Sequence, residues 1–376
     1  MALTRLTSAN AIPDDSVANV KMANIVQSKN IIINGDMAVS QRATSAASVA
    51  SNGYHACDRW RYAESSSAVV TISQDTDVPT GQGFASSFKI DCTTADASLG
   101  AAEYVLLQQK FEGQNLQYLK KGTSSAQSLT LSFWVKSTKT GTFIAMLYDR
   151  DNTRQIAKSY TVSVSDTWEQ KTITYAGDTT GALDNDNAAS LELWLWLGVG
   201  SNYSSGSLAT SWATETAANQ AVGQVNAVDS TSNNFLITGV QLEAGDTASE
   251  FEFLPFGVNL EKCLRYFQKT YDYATAPGTS TDQGKLEMSS TSEGGNNAIF
   301  SLSLKVPLRT TPTVTFYKSD GTLATWTYGR SGASGDASMT AYAGRYGQNY
   351  LIFYGGVGAG WIACNLAGHY TVSAEL

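Results

Sequence analysis

Charge, histidine, proline and cysteine are all scarce in this 376-residue chain. Only 15% of residues are Asp, Glu, Lys or Arg, with 33 acids against 25 bases and a formal charge of −8. Phosphate binding needs clustered Lys and Arg, and no such cluster occurs, so nucleic acid is not expected as a partner. The longest apolar runs, such as 191–199, fall far short of the roughly 20 residues that a spanning helix needs, so no membrane insertion is expected. The N-terminus lacks the charged-then-apolar pattern of a signal peptide, which points to synthesis in a cytoplasm. The two histidines, His55 and His369, stand outside any HExxH or HxH spacing and give zinc hydrolysis no anchor. The four cysteines, Cys57, Cys92, Cys263 and Cys364, are widely spaced with no CxxC pair. They read as small buried apolar side chains, not as a zinc or redox site. GxSxG elbows, P-loops and dinucleotide-binding glycine fingerprints are missing too. The many acids leave room for a glycosidase pair, but they read as turn-solvating residues, and the expectation is a protein that is not an enzyme. No cofactor is called for.

Ser, Thr, Gly and Ala dominate, and aromatics reach 10% of the chain. That composition predicts an all-β protein: a jelly-roll β-sandwich, a short helix, then a second, smaller C-terminal β-sandwich. The chain divides as 1–28, a polar lead; 29–256, the jelly roll; 257–272, the linking helix; and 273–376, the second β domain. The lead is poor in hydrophobics and broken at Pro13, so it builds no core of its own. It is either a disordered tail or an extended segment ordered on a partner. Strands are expected at 69–74, 84–91, 104–111, 128–137, 142–148, 159–164, 172–175, 191–197 and 235–242, separated by Gly, Ser, Asp and Asn turns. After the helix, the candidates are 299–306, 313–317, 324–328, 339–343, 350–354, 361–366 and 369–374. The polar segment 198–234 is too long for a tight turn and reads as short strands or a functional loop. Asp184, Asn185, Asp186 and Asn187 have some look of a calcium loop, but the spaced ligands of an EF-hand are missing, and a plain turn is the reading.

Two strands alternate clearly. In SLTLSFWVKS, Leu129, Leu131, Phe133 and Val135 share one face, while Trp134 lies on the other. In SLELWLWLG, Leu191, Leu193, Leu195 and Leu197 face a core, while Glu192, Trp194 and Trp196 face away. Flat aromatic faces stack on sugar rings while neighbouring polar groups bond the hydroxyls, so Trp134, Trp194 and Trp196 are candidates for a glycan platform. The competing reading is burial under a second layer or in a subunit interface. The C-terminal region offers Trp326, Tyr328, Tyr342, Tyr346, Tyr350, Tyr354 and Trp361 as a second set. Trp326, Tyr328, Tyr342, Tyr346 and Trp361 are its candidates for glycan or receptor contact, against ordinary strand packing.

The segment Thr238 to Lys269 carries a strand, a turn at Gly245 and Asp246, an extended return stopped by Pro255, and a helix start. From Asn259, a plausible N-cap, Leu260, Cys263, Leu264, Phe267 and Tyr271 recur at helical spacing. This reads as a hinge between two β domains.

NIIINGDMAVSQRATS and YHACDRWRY, spanning Asn30 to Tyr62, resemble the opening of a family of bacteriophage tail-fibre and appendage proteins. The matching residues are Asn30, Asn34, Gly35, Asp36, Met37, Gln41, Arg42, Asp58, Arg59 and Trp60. LSFWVKSTKTG, TWEQKTITYAGD and LITGVQLEAG are similar to strands of jelly rolls of the carbohydrate-binding-module kind, and LRYFQKTY and HYTVSAEL also resemble phage fibres. The resemblance implies a virion structural protein, homotrimeric, located on the tail or surface of the particle. It would dock to another virion protein through residues 1–28 and meet host surface polysaccharide without catalysis. Ile12, Pro13, Val17 and Val20 in the lead would anchor it to the particle. A structural calcium near Gly35 and Asp36 is a further implication, weakened by Ala38 where an acid often follows. A capsid decoration or tail structural protein that never touches host sugar is the alternative.

Overall fold

A computed structural model describes residues 29–290, 297–330, 333–341, 347–356 and 364–376. The strands before the helix are β1 (Ser45–Val49), β2 (Arg61–Glu64), β3 (Val69–Asp75), β4 (Ser87–Thr94), β5 (Tyr104–Glu112) and β6 (Leu129–Ser137). They continue with β7 (Gly141–Asp149), β8 (Arg154–Val162), β9 (Glu169–Tyr175), β10 (Ala189–Val199), β11 (Ala213–Thr214) and β12 (Asn234–Ala244). They form two six-stranded antiparallel sheets, ordered β1-β3-β4-β12-β6-β9 and β11-β8-β7-β10-β5-β2. The sheets pack as a sandwich. Strand alternation dictates what lies between them: Leu129, Leu131, Phe133 and Val135 of β6 meet Leu191, Leu193, Leu195 and Leu197 of β10 in one buried cluster. The alternating faces read from the sequence are therefore the core faces, and the tryptophans point outward.

The helix spans Phe256–Leu264, shorter than the 257–272 expected. Pro255 takes the N-cap position, and Asn259 lies within the helix, buried. Its amide turns away from the helix end: its oxygen accepts from the Asn34 N–H at 3.2 Å, and its nitrogen donates to Asp36 at 2.9 Å. The apolar spacing that extended the helix to Tyr271 misleads because Phe267–Lys269 leaves it to become β13, paired with Thr371–Ser373. Burial of Phe267 is achieved in a sheet, not on a helix face.

The remaining strands are β14 (Leu286–Ser290), β15 (Asn297–Ser303), β16 (Thr313–Tyr317), β17 (Thr325–Arg330), β18 (Ala333–Ala341), β19 (Tyr350–Gly356) and β20 (Cys364–Ser373). With β13 they make an eight-stranded sheet around its own core of Leu308, Phe316, Trp326, Leu351, Phe353, Leu366 and Val372. The last strand pairs with β13 and β16 near its end and with β14 and β17 near its start. The two strands expected at 361–366 and 369–374 are thus one. Gly368 is needed inside it because a Cβ there would lie 2.3 Å from the Trp326 ring.

The two β regions are joined by hydrogen-bonded, largely buried contacts, and the motif residues build them. Gly35 lies so close to the β12 backbone that a Cβ would sit 2.1 Å from the Val240 carbonyl. Asn34 donates to the Val39 and Asp58 carbonyls and accepts from Val39, fixing the NGDM turn, and Trp60 donates to the Asn34 carbonyl. Arg59 is fully buried, stacked on Tyr266 at 3.5 Å and paired with Glu375 near the chain end. Arg42 lies over Phe267 at 3.9 Å and reaches Glu375 at 3.0 Å. Lys269 donates to the carbonyls of Gln41, Tyr273 and Thr275. Glu112 at the end of β5 receives the Arg265 fork at 2.7 and 2.6 Å and the Tyr266 hydroxyl at 2.6 Å. The Asp184–Asn187 turn adds Asn187, which exchanges hydrogen bonds with the backbone and side chain of Arg309. The hinge is a bonded joint.

Candidate functional site

The outer face of the β8-β7-β10-β5-β2 sheet carries a cavity of 290 Å³. Cross-strand register assembles it in rungs. One rung places Arg61, Gln108, Trp194 and Met146 side by side on four strands; the next places Lys110, Glu192 and Tyr148 together; a third aligns Ala63, Leu106 and Trp196. All of these positions lie on the face opposite the core leucines, as period two requires.

Over this face folds the segment between β10 and β12, the long loop that the sequence marks out as functional or strand-bearing. It forms a single helical turn at Ser201–Ser204, the short strand β11 and a 3-10 turn at Ala217–Asn219. Its Tyr203, Leu208 and Ala221 pack with Trp196, Ile144, Met146, Leu106 and Ala63 in a second apolar layer separate from the sandwich core. Its Glu215 and Gln220 line the cavity. Loop and sheet therefore each supply one wall.

Aromatic rings frame the opening. Trp194 is half-buried and lies 5.3 Å from Tyr148 and 5.6 Å from Trp196. Tyr104 and Tyr203, both half-buried, meet edge to face at 5.7 Å, and each also contacts Trp196. Trp196 is 1% exposed and forms the floor. The polar groups are held in fixed orientations. Glu192, buried, accepts from the Trp194 indole at 2.7 Å and from Arg150 at 3.0 Å. Arg61 donates to the Gln108 amide oxygen. Glu215 accepts from the Tyr148 hydroxyl at 2.9 Å and from Gln220 at 2.9 Å. Burial and the Glu215 carboxylate push the Tyr148 phenol up to about 12, so it stays a donor at neutral pH. Two buried polar atoms of lining residues have no protein partner, the Trp196 indole N–H and the Gln220 amide oxygen.

The candidates from sequence divide accordingly. Trp194 and Trp196 share the cavity. Trp134 does not join them: it sits on β6, half-buried on the outer face of the other sheet beside Thr238 and Gln170. The three-tryptophan platform is therefore corrected to two, with Trp196 as floor. Trp326 is also corrected: it is fully buried, donates to the His369 carbonyl at 2.8 Å and packs on Phe316 and Phe353, so it is a core residue. Tyr328 is half-buried against the same core. Tyr342, Tyr346 and Trp361 lie outside the described residues, as do Ile12, Pro13, Val17 and Val20 of the lead. Asp36, the calcium candidate, has its carboxylate hydrogen-bonded by Asn259 and Ala38. Among the described residues no group of three His, Cys, Asp or Glu is placed to hold a metal ion. Cys57, Cys92 and Cys263 are buried free thiols, and burial pushes Cys57 and Cys263 well up from the usual thiol range. Arg61, Tyr104, Gln108, Lys110, Tyr148, Arg150, Tyr203, Glu215 and Gln220 went unnoticed in the sequence. The outward positions 104, 106, 108 and 110 alternate as legibly as 192, 194 and 196, but register across strands is what joins them.

No protein-family model and no curated protein matches the chain. Solved structures do. The enzymatically active domain of tailspike protein 4 of bacteriophage CBA120 is 15% identical over 57% of this chain, with a TM-score of 0.32; the match spans 21% of the tailspike chain. A sugar-binding protein from Bacteroides thetaiotaomicron, described as putative, is 14% identical over 57% of this chain and 99% of its own, with a TM-score of 0.31. A family 11 carbohydrate-binding module from Clostridium thermocellum, solved with a mixed-linked tetrasaccharide, is 12% identical over 50% of this chain and 91% of its own, with a TM-score of 0.28. Likeness at this level carries no functional weight. The chemistry of the cavity has to supply it.

Proposed function

We propose that this chain is a virion appendage protein that binds glycan non-catalytically in the cavity on the outer face of the β7-β10-β5-β2 strands. The observation that carries the sugar reading is the half-buried Trp194 face beside Tyr148, in a cavity also lined by Tyr104 and Tyr203 and by fixed polar groups. Aromatic faces supply apolar stacking and the fixed amide, carboxylate and phenol groups read hydroxyls. Both carboxylates in the cavity are engaged by donors, Glu192 by Trp194 and Arg150, Glu215 by Tyr148 and Gln220, which supports recognition over hydrolysis.

The appendage reading rests on the NGDM, QR and DRW residues. It carries with it attachment through residues 1–28, a homotrimeric state, and host surface polysaccharide as the ligand. Titration calorimetry of the full chain with oligosaccharides tests the site. Trp194→Ala removes about 2 kcal/mol of binding, near thirty-fold in Kd, while Trp134→Ala on the opposite face leaves affinity unchanged. Equal losses from the two variants, or none from Trp194→Ala, would sink the assignment. Product sizing after incubation with polysaccharide shows unchanged chain length if no hydrolysis occurs. A native mass of one chain at micromolar concentration would remove the trimer. Failure of the full chain to adsorb to host cells would favour a decoration role.

A further inference from the structure

Resting on the reading of this cavity as a sugar site, we propose that the glycan it takes is anionic, with a carboxylate or sulfate group held at the end formed by β2 and β5. The cavity is lined by three cations, Arg61, Lys110 and Arg150, against two carboxylates, Glu192 and Glu215. The lining is thus net positive in a chain of net charge −8.

The distribution matters more than the sum. Glu192 is committed to Arg150 at 3.0 Å and to Trp194, so that pair is internally neutral. Glu215 sits at the loop wall, bonded by Tyr148 and Gln220. Arg61 and Lys110 remain. Arg61 donates to a neutral amide, Gln108, and among the described residues neither cation forms an ion pair with a carboxylate. Both flank Gln108 on the outward face, Arg61 directly across the ladder and Lys110 two residues on, within reach of two long side chains. Arg61 and Lys110 are half-buried and repel each other, and Glu192, across the ladder from Lys110, is already shared by Arg150 and Trp194, so an incoming anion would relieve that repulsion. Burial, aided by repulsion from Arg61, Arg150 and Arg59 and opposed by Glu192, holds Lys110 below the usual lysine range. The planar Arg61 fork suits a carboxylate or sulfate oxygen pair, and Lys110 adds a point charge. Trp194, next to Gln108 on the adjoining strand, is placed for the ring that carries the anion.

The test is titration of the full chain with oligogalacturonate, with chondroitin sulfate oligosaccharide and with neutral gluco- and galacto-oligosaccharides, at low and at raised salt. The expected result is that an acidic ligand binds at least tenfold tighter than the neutral ones. That preference shrinks with salt and falls toward parity in Arg61→Gln and Lys110→Gln, with folding checked by near-ultraviolet circular dichroism. The uronate and sulfate arms distinguish the two anions. Neutral ligands binding as tightly as acidic ones, with Trp194 required and both cation variants silent, would overturn the anionic inference and leave the sugar site standing. If no ligand in the panel binds, the sugar site falls and this inference with it.

Discussion

Removing the Glu375 carboxylate is the sharpest perturbation of the joint between the two β regions. Glu375 and Arg59 have side chains 8% and 1% exposed, so solvent screens the pair little. Arg59 keeps the Lys110 carbonyl at 2.8 Å and the Tyr266 ring, but its Nη1 loses its charged partner, and its Nε is already buried without one. Arg42 loses the same carboxylate and falls back on Asp58 at 3.7 Å. Breaking a buried pair from one side costs roughly 3–5 kcal/mol, because an uncompensated charge is left behind. Glu375→Gln should therefore lower the denaturant midpoint with the slope unchanged. In a domain of roughly 150–250 residues, Tm should fall by about 6 °C or more. The double-mutant cycle with Arg59→Met isolates the pair: Arg59→Met alone removes the stranded cation, so the double variant should be less destabilised than the sum of the two singles. Because the pair links the sandwich to the C-terminal sheet, calorimetry should also change, from one transition to two in Glu375→Gln. A loss under about 1 kcal/mol together with additive singles would refute a structural role for the pair.

Two other perturbations follow from the packing. Gly368→Ala places a Cβ against the Trp326 ring in the core of the C-terminal sheet, and overpacking of this kind costs about 1–3 kcal/mol, read as a lower unfolding midpoint. Glu112→Gln tests the joint by pH. Burial alone would lift the Glu112 carboxyl, but Arg265, Tyr266 and Gln114 hold it below its ordinary value of 4.5. Its contribution is thus complete above that value and lost as pH falls through the lower folded one. The variant should cost roughly 1.5–3 kcal/mol near pH 7, and its deficit relative to the natural protein should shrink below about pH 4.5 in acid unfolding curves.

Period-two alternation made the sandwich legible. The faces of β6 and β10 follow from single residues, since each Leu or Phe in those strands alternates with a polar or tryptophan side chain. The helix was legible only in part, because Phe267 satisfies the helical spacing and the β13 pairing equally, and only the distant partner Ser373 decides between them. Trp134 and Trp194 look alike along the chain. They lie on opposite outer faces because their strands belong to different sheets, a fact of topology that local pattern does not carry. The cavity needed register most of all: Arg61, Lys110 and Trp194 come from three segments and meet only when β2, β5 and β10 align.

The motif that carries the phage resemblance does most of its work at the joint. Asn34, Gly35, Gln41, Arg42, Asp58, Arg59 and Trp60 fix the turn under β12, dock the helix through Asn259 and seat Glu375. Their side chains are spent on the joint, so a chain that shares them shares a way of fastening two β regions together, and that alone says nothing of ligand. In the proposed site, ligand chemistry falls to the outward positions 61, 108, 110, 148, 150, 192 and 194 and to the covering loop. The loop contributes its own apolar layer through Tyr203, Leu208 and Ala221. Under the proposed sugar reading, changes at the outward side chains would alter the ligand, and Lys110, whose carbonyl accepts from Arg59 at 2.8 Å, is where such changes would be felt at the joint.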